Sequence, residues 1–189
     1  MNLPDGIPGL VTPRLALRAC VPADALAVLA VFSDPEVMRY WSTPPWNGLA
    51  DAEAFLQRAK AQWEAGAGIR WVLDERGGDR AVGTVTLFAL HPGGDRAEVG
   101  FALRRASWGR GYMREALTSV LDWAFGAPGL RRVEADVDPR NEASVRTLER
   151  LGFAREGLLR ERWEVAGEVV DSLILGLLRR EWRRGAAGR

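Results

Sequence analysis

Two glycines flank Arg110 in the run Ser107-Trp108-Gly109-Arg110-Gly111-Tyr112, and an amphipathic stretch follows at once. Glycines let the backbone turn sharply and approach a ligand closely. The start of the next helix offers unpaired N–H groups and partial positive charge, so loop and helix together suit a phosphate. Arg104, Arg105, Arg110 and Arg114 lie between residues 104 and 114, and no acid does. A tight strand-to-helix turn with solvated arginines would read the same way. Two named phosphate sites are excluded. A Walker A loop needs Gly-Lys-Ser/Thr, and the lone lysine is the distant Lys60. A dinucleotide fingerprint needs a third glycine where Arg114 stands.

A second group is Asn141-Glu142-Ala143-Ser144. Asn141 is a good N-cap, and Ser144 falls in the first turn of the helix it would open. The chain has one cysteine, Cys20, and one histidine, His91. That excludes an intrachain disulfide and a Cys/His zinc cluster, so no metal site is expected. A Ser-His-Asp triad would have only His91 to draw on.

The elements that position these groups follow from periodicity. Strands are expected over 13–20, Arg70 to Asp74, Ala81 to Leu90 and Glu98 to Leu103, the last three as an antiparallel meander. Turns are expected at Gly77-Gly78-Asp79 and Pro92-Gly93-Gly94-Asp95. Helices are expected over Ala25 to Phe32 and Ala50 to Glu64. Another carries Met113, Ala116, Leu117, Val120, Leu121, Ala124 and Phe125 on one stripe. A strand from Arg132 to Val137, a helix after Asn141 ending at Gly152, and strands at about 156–165 and 168–178 complete the chain. The order β-α-α-β-β-β-α-β-α-β-β predicts an α/β (α+β) domain with a mixed sheet.

The chain has 189 residues, enough for one domain with a sizeable core, and we expect a single domain over 1–189 with a basic tail from about 179. Twenty-six basic residues against 25 acidic ones leave a net charge of +1. Bulk-charge binding of nucleic acid is therefore not expected. The first ten residues lack the pattern of a secretory signal, and the longest apolar run, Ala25 to Phe32, is far short of a membrane span. No membrane association and a cytoplasmic location are the expectations.

Several stretches belong together: Thr12-Pro13-Arg14-Leu15-Ala16-Leu17-Arg18, Ser33-Asp34-Pro35-Glu36-Val37-Met38, Ala97-Glu98-Val99-Gly100-Phe101, Trp108 to Leu117, Asn141 to Arg146, Leu151-Gly152-Phe153 and Glu156-Gly157. They resemble the GNAT acetyltransferase superfamily, and more narrowly the RimJ/RimL-type protein N-acetyltransferases. They run in family order from about residue 10 to 182. One departure is Ala106, where the superfamily often has Gln or Arg. The resemblance implies a GNAT-like fold whose strands before and after the glycine loop splay apart, and acetyl-CoA-dependent transfer to an amine. By that analogy Val99, Phe101, Ala102 and Leu103 hold the pantetheine arm. Ser107, Trp108, Gly109, Arg110, Gly111, Tyr112 and Met113 hold the pyrophosphate, and Asn141 reaches the pantetheine.

Chemistry sets the remaining requirements. The amine must be neutral to attack a thioester, and at pH 7 roughly one α-amine in ten is neutral but only about one lysine in 2,500. An α-amine therefore asks little of a base, and a carboxylate working through water suffices. Glu98 is the candidate base, with the expectation that Glu98→Gln lowers activity most at low pH; the bland reading is an exposed strand residue. His91 fits a surface turn better. A backbone N–H near Val99 to Phe101 would stabilise the oxyanion. Ser144 would protonate or solvate the leaving thiolate, a role in which Tyr112 is chemically suitable but better placed for packing. Tyr40, Trp41 and Trp46, in a proline-stiffened loop, either close the core or wall the acceptor pocket. Residues 34–53 carry Asp34, Glu36, Asp51 and Glu53 against Arg39, which suits a cationic acceptor. The acceptor is expected to be a protein N-terminus. The alternatives are a small-molecule amine, or a non-catalytic module that binds acetyl-CoA or, through its basic tail, RNA. A homodimer paired through Leu173 to Leu178 is a further expectation.

Overall fold

In a computed structural model, residues 6–78, 81–90 and 95–182 are described. His91, the turn residues Asp79 and Pro92 to Gly94, and the tail arginines Arg183, Arg184 and Arg189 lie outside them.

Eight strands form one mixed sheet in the order β1-β2-β3-β4-β5-β6-β8-β7. They are β1 (Leu10–Val11), β2 (Leu15–Ala19), β3 (Ile69–Glu75), β4 (Ala81–Phe88), β5 (Arg96–Leu103), β6 (Arg132–Val137), β7 (Ala154–Val165) and β8 (Glu168–Leu178). The helices are α1 (Ala25–Phe32), α2 (Pro35–Met38), α3 (Leu49–Glu64), α4 (Tyr112–Gly126) and α5 (Glu142–Arg150). The expected meander is β3 to β5, antiparallel throughout. The two-residue β1 and the single turn of α2 were not expected. Pro35 opens α2 at its first position, while Asp34 Oδ1 caps it by accepting from the Glu36 N–H at 2.9 Å.

Strand alternation divides the interior into two cores. Ala97, Val99 and Leu103 face the stripe of α4 together with Trp71, Leu73, Val133, Ala135 and Leu175. Val72 and Ala102 face α1 and α3 on the other side, among Val28, Phe32, Phe55 and Leu56. Gly83 is required where β4 and β5 approach: a Cβ there would lie 2.3 Å from the Ala102 carbonyl oxygen. The stretch Leu173 to Leu178 is not an edge. Because β8 is hydrogen-bonded on both sides, to β6 and to β7, and Leu173, Leu175 and Leu177 are buried, it has no free edge to offer a second subunit. The edge strands are β1 and β7, and β7 is the longer, with nearly all its residues exposed.

The decisive irregularity lies between β5 and β6, the only parallel neighbours among the described residues. They pair at Arg96–Arg132, Ala97–Val133 and Glu98–Glu134, and there the ladder stops. β5 runs on to Leu103 and β6 to Val137, so the sheet opens into a gap at their C-terminal ends.

Candidate active site

The glycine loop sits beyond the end of β5, at the open end of the gap. The chain makes a 3-10 turn at Arg105–Ser107 and reverses through Gly109 (φ 72°) and Gly111 (φ 75°) into α4. Both glycines occupy the left-handed region that other residues enter at a cost. Gly111 is the N-cap and supplies no side chain, so the first-turn N–H groups of α4 keep their capacity for an outside acceptor. The loop is braced from within. Ser107, almost fully buried, accepts from Arg104 Nε at 3.1 Å, and Trp108 Nε1 donates to the Leu103 carbonyl at 2.7 Å. Met113 packs partly buried against the α4 core.

Arg110 and Tyr112 point elsewhere than the sequence suggested. Arg110 Nη2 pairs with Glu75 at the end of β3 at 2.9 Å, and the buried Tyr112 hydroxyl donates to the same carboxylate. These bonds hold the Glu75 carboxyl below the usual carboxylate range and the Tyr112 hydroxyl above its own. Arg14 stacks on one face of this network, donating to the Arg110 carbonyl at 2.8 Å and to Glu115 Oε2 at 2.7 Å. The arginines around the loop are thus largely spoken for: Arg105 pairs with Asp34 at 3.4 Å. The groups left open at the loop are the first-turn backbone N–H groups of α4, while Arg110 ties the loop to β3.

A cavity of about 590 Å³ occupies the gap. It is lined by Val99 and Phe101, whose side chains belong to the α4 face, and also by Glu98 and Gly100 of the opposite face. The cavity thus reaches the stretch of β5 beyond Glu98 that β6 does not pair. Asn141 and Ser144 line it from the start of α5. Asn141 also makes the expected cap, its Oδ1 accepting from the Ser144 N–H at 3.2 Å. Ala102 and Leu103 are buried and do not line the cavity; what they present toward the gap is backbone. Tyr40 and Trp41 form part of the wall with Pro44, Pro45 and Trp163. Trp46 does not. It stacks on Phe32 at 4.6 Å and meets Phe55 edge-on, because its aromatic surface is better buried in the α1–α3 core.

The acids of residues 34–53 are also not those of the cavity. Asp34 caps α2, and Asp51 Oδ2 accepts from the Asn47 N–H at 2.9 Å ahead of α3. The acids that line the cavity are Glu98, Asp136, Asp138, Glu168 and Asp171, against Arg39, Arg140 and Arg162. Asp136 had been missed. Its signal was its position two residues beyond the last β5–β6 rung, which only the register reveals. Arg140 is held by Asp138 at 2.7 Å and Glu168 at 2.5 Å. Burial, then Asp136 and Glu134, push the Glu98 carboxyl up to about 7, with Arg162 opposing. Cys20, just past the end of β2, does not line the cavity; its thiol faces the Arg70 carbonyl at 3.7 Å and is pushed up to about 11 by burial, which makes it a poor nucleophile. Among the described residues no group of acids, His and Cys is arranged to hold a metal ion, and no helix is long and apolar enough to cross a membrane.

Residues 14–154 match the family model of the acetyltransferase (GNAT) domain. The chain is 33% identical to the N-acetyltransferase p20 of Bacillus licheniformis over 173 residues, covering 92% of this chain and 97% of that protein. It is 29% identical over 87 residues to the [ribosomal protein uS5]-alanine N-acetyltransferase of Escherichia coli, covering 46% and 45%. The structure of Mycobacterium smegmatis RimJ in complex with CoA-disulfide superposes with a TM-score of 0.85 at 25% identity, covering 97% of this chain and 92% of that one. The chain belongs to the GNAT family and is a GNAT-type N-acetyltransferase, with the mixed sheet of that fold.

Proposed function

We propose that the protein transfers an acetyl group from acetyl-CoA to a primary amine by direct attack, and that the cavity through the sheet is where donor and acceptor meet. The observation that carries this is the gap itself: backbone groups of β5 beyond Glu98 that β6 does not pair, ending at a glycine turn and an uncapped helix. A pantetheine arm fits such an edge as an added strand, and a pyrophosphate fits the α4 N-terminus. When bound, acetyl-CoA supplies an acetyl group activated as a thioester.

The chain's own residues do the rest. Val99 to Leu103 offer backbone groups to the donor, one N–H of which faces the oxyanion. Glu98, titrating near 7, accepts the proton that the amine nitrogen sheds as its bond to the acetyl carbon forms. The carbon–sulfur bond breaks, and Ser144 solvates the thiolate, which takes up a proton from water. No covalent enzyme intermediate is needed. For the acceptor we favour a protein N-terminal α-amine, in the RimJ/RimL manner. Its pKa of about 7.7–8.0 is close to that of Glu98, so proton transfer is nearly balanced, and the uS5 enzyme and RimJ are among its relatives. A small amine is the second reading, favoured by the surplus of acids in the cavity.

An assay of CoA release with alanyl peptides and small di- and polyamines tests the acceptor. Gly111→Asp tests the donor site: it adds a side chain at φ 75° and a like charge where the phosphates bind, and calorimetry should show acetyl-CoA binding abolished. Undiminished affinity would remove the glycine loop from the site.

A further inference from the structure

On the face of the sheet toward α2, β6 carries Glu134 and then Asp136, and β8 carries Ile174 opposite Asp136. Glu134 is the last β5–β6 rung, paired with Glu98, so Glu98 and Asp136 share this face and stand on opposite sides of the gap where it opens. Ser172 lies two residues along β8 from Ile174, on the same face. All three line the cavity.

Their partners set them apart from the charges around them. Glu134 is satisfied by Arg132 Nε at 2.6 Å and by Arg96 at 3.7 Å. Asp138 is satisfied by Arg140. Among the described residues Glu98 and Asp136 have no ion-pair partner within 4.0 Å; Arg162, on β7, acts on Glu98 only from farther away. Ser172 is 1% exposed, and its Oγ has no hydrogen-bond partner. A buried hydroxyl without a partner is costly, and Ser172 is one of the residues that line the cavity. Two carboxylates without an ion pair and one unpartnered hydroxyl thus belong to one cavity wall, and a primary ammonium would bring three N–H donors to it.

We propose that Asp136 and Ser172, together with Glu98, form the seat of the acceptor nitrogen and select a primary amine. This rests on the acetyl-transfer reading above. Asp136 pairs with the incoming ammonium, Ser172 accepts its second N–H, and Glu98 takes the third. A secondary amine would leave one of these groups unpaired, and a quaternary ammonium would leave all three so.

The probe is methylammonium, with tetramethylammonium as the cation of equal charge and no N–H. The full chain, labelled with carbon-13 at glutamate carboxyls and saturated with CoA, is titrated at pH 8, and the Glu98 resonance is assigned through Glu98→Gln. Methylammonium should shift that resonance saturably, and tetramethylammonium should not. Asp136→Asn should weaken methylammonium at least about 10-fold and Ser172→Ala about 2- to 10-fold, as expected for charged and neutral hydrogen bonds. Ser172→Thr, which keeps the hydroxyl, should bind as the parent does, and calorimetry with acetyl-CoA should be unchanged in all three variants. Equal shifts from the two cations, or parental affinity in Asp136→Asn, would overturn the proposal. A chain that seats methylammonium but transfers acetyl to no amine would keep this seat and refute the acetyl-transfer reading; transfer without the seat does the reverse.

Discussion

Glu98 was legible as a candidate base, but its behaviour was not. A strand carboxylate at its ordinary value of 4.5 would stay ionised across neutral pH, and its loss would matter most at low pH, where the amine is most protonated. Burial beside Asp136 and Glu134 moves it to about 7 and reverses the order. Below that value the carboxyl is itself protonated and cannot accept. The parent's kcat/KM should therefore rise through a limb near pH 7 that Glu98→Gln lacks. The variant should be about 100-fold slower at pH 8, with the difference shrinking toward pH 6. A pH–rate profile for both enzymes checks this; parallel profiles would remove Glu98 as base. The choice at Trp46 has a similar origin. Its residue type allowed either a core contact or a pocket wall, and only the position of Phe32 and Phe55 decides that it turns inward.

The glycine loop was read for the charge of Arg110, yet its order comes from β3. Glu75 gathers Arg110 and the Tyr112 hydroxyl, and Arg14 closes the back through Glu115 and the Arg110 carbonyl. Tyr112→Phe removes one of these tethers without touching the cavity. Acetyl-CoA KM should rise about 2- to 10-fold, the size of one lost hydrogen bond, with kcat unchanged. Steady-state kinetics with varied acetyl-CoA measures the split, and a fall in kcat alone would contradict it. Most elements were legible, because α1 is an unbroken apolar run, α4 carries one apolar stripe, and glycines or prolines mark the boundaries of helices and strands. The Glu75 contact was not, since 37 residues separate it from Tyr112 and nothing local marks it. The acidic lining was misplaced for the same reason: Asp136 joins Glu98 only through a register between strands far apart in sequence.

For the whole molecule, the site opposes stability. Glu98 gains a proton on folding at neutral pH, since its folded value is raised above 4.5. That contribution is full below about 4.5 and is lost as pH rises through about 7. Carboxylates such as Glu156, held low by Arg132, act in the opposite sense, stabilising at neutral pH and losing this as pH falls. Glu98→Gln removes the first effect alone. Urea midpoints from pH 5 to 8 should show the variant gaining on the parent as pH rises, and a constant difference would refute the burial account. The three-rung seam between β5 and β6 also has a bearing on time. Beyond the third rung the two strands leave the gap open, so an acceptor arriving first finds a site without a floor. A donor lodged between the strands supplies that floor. Productive encounters should therefore follow a fixed sequence, donor before acceptor. CoA should then compete with acetyl-CoA, while an unreactive acceptor analogue should inhibit uncompetitively against it.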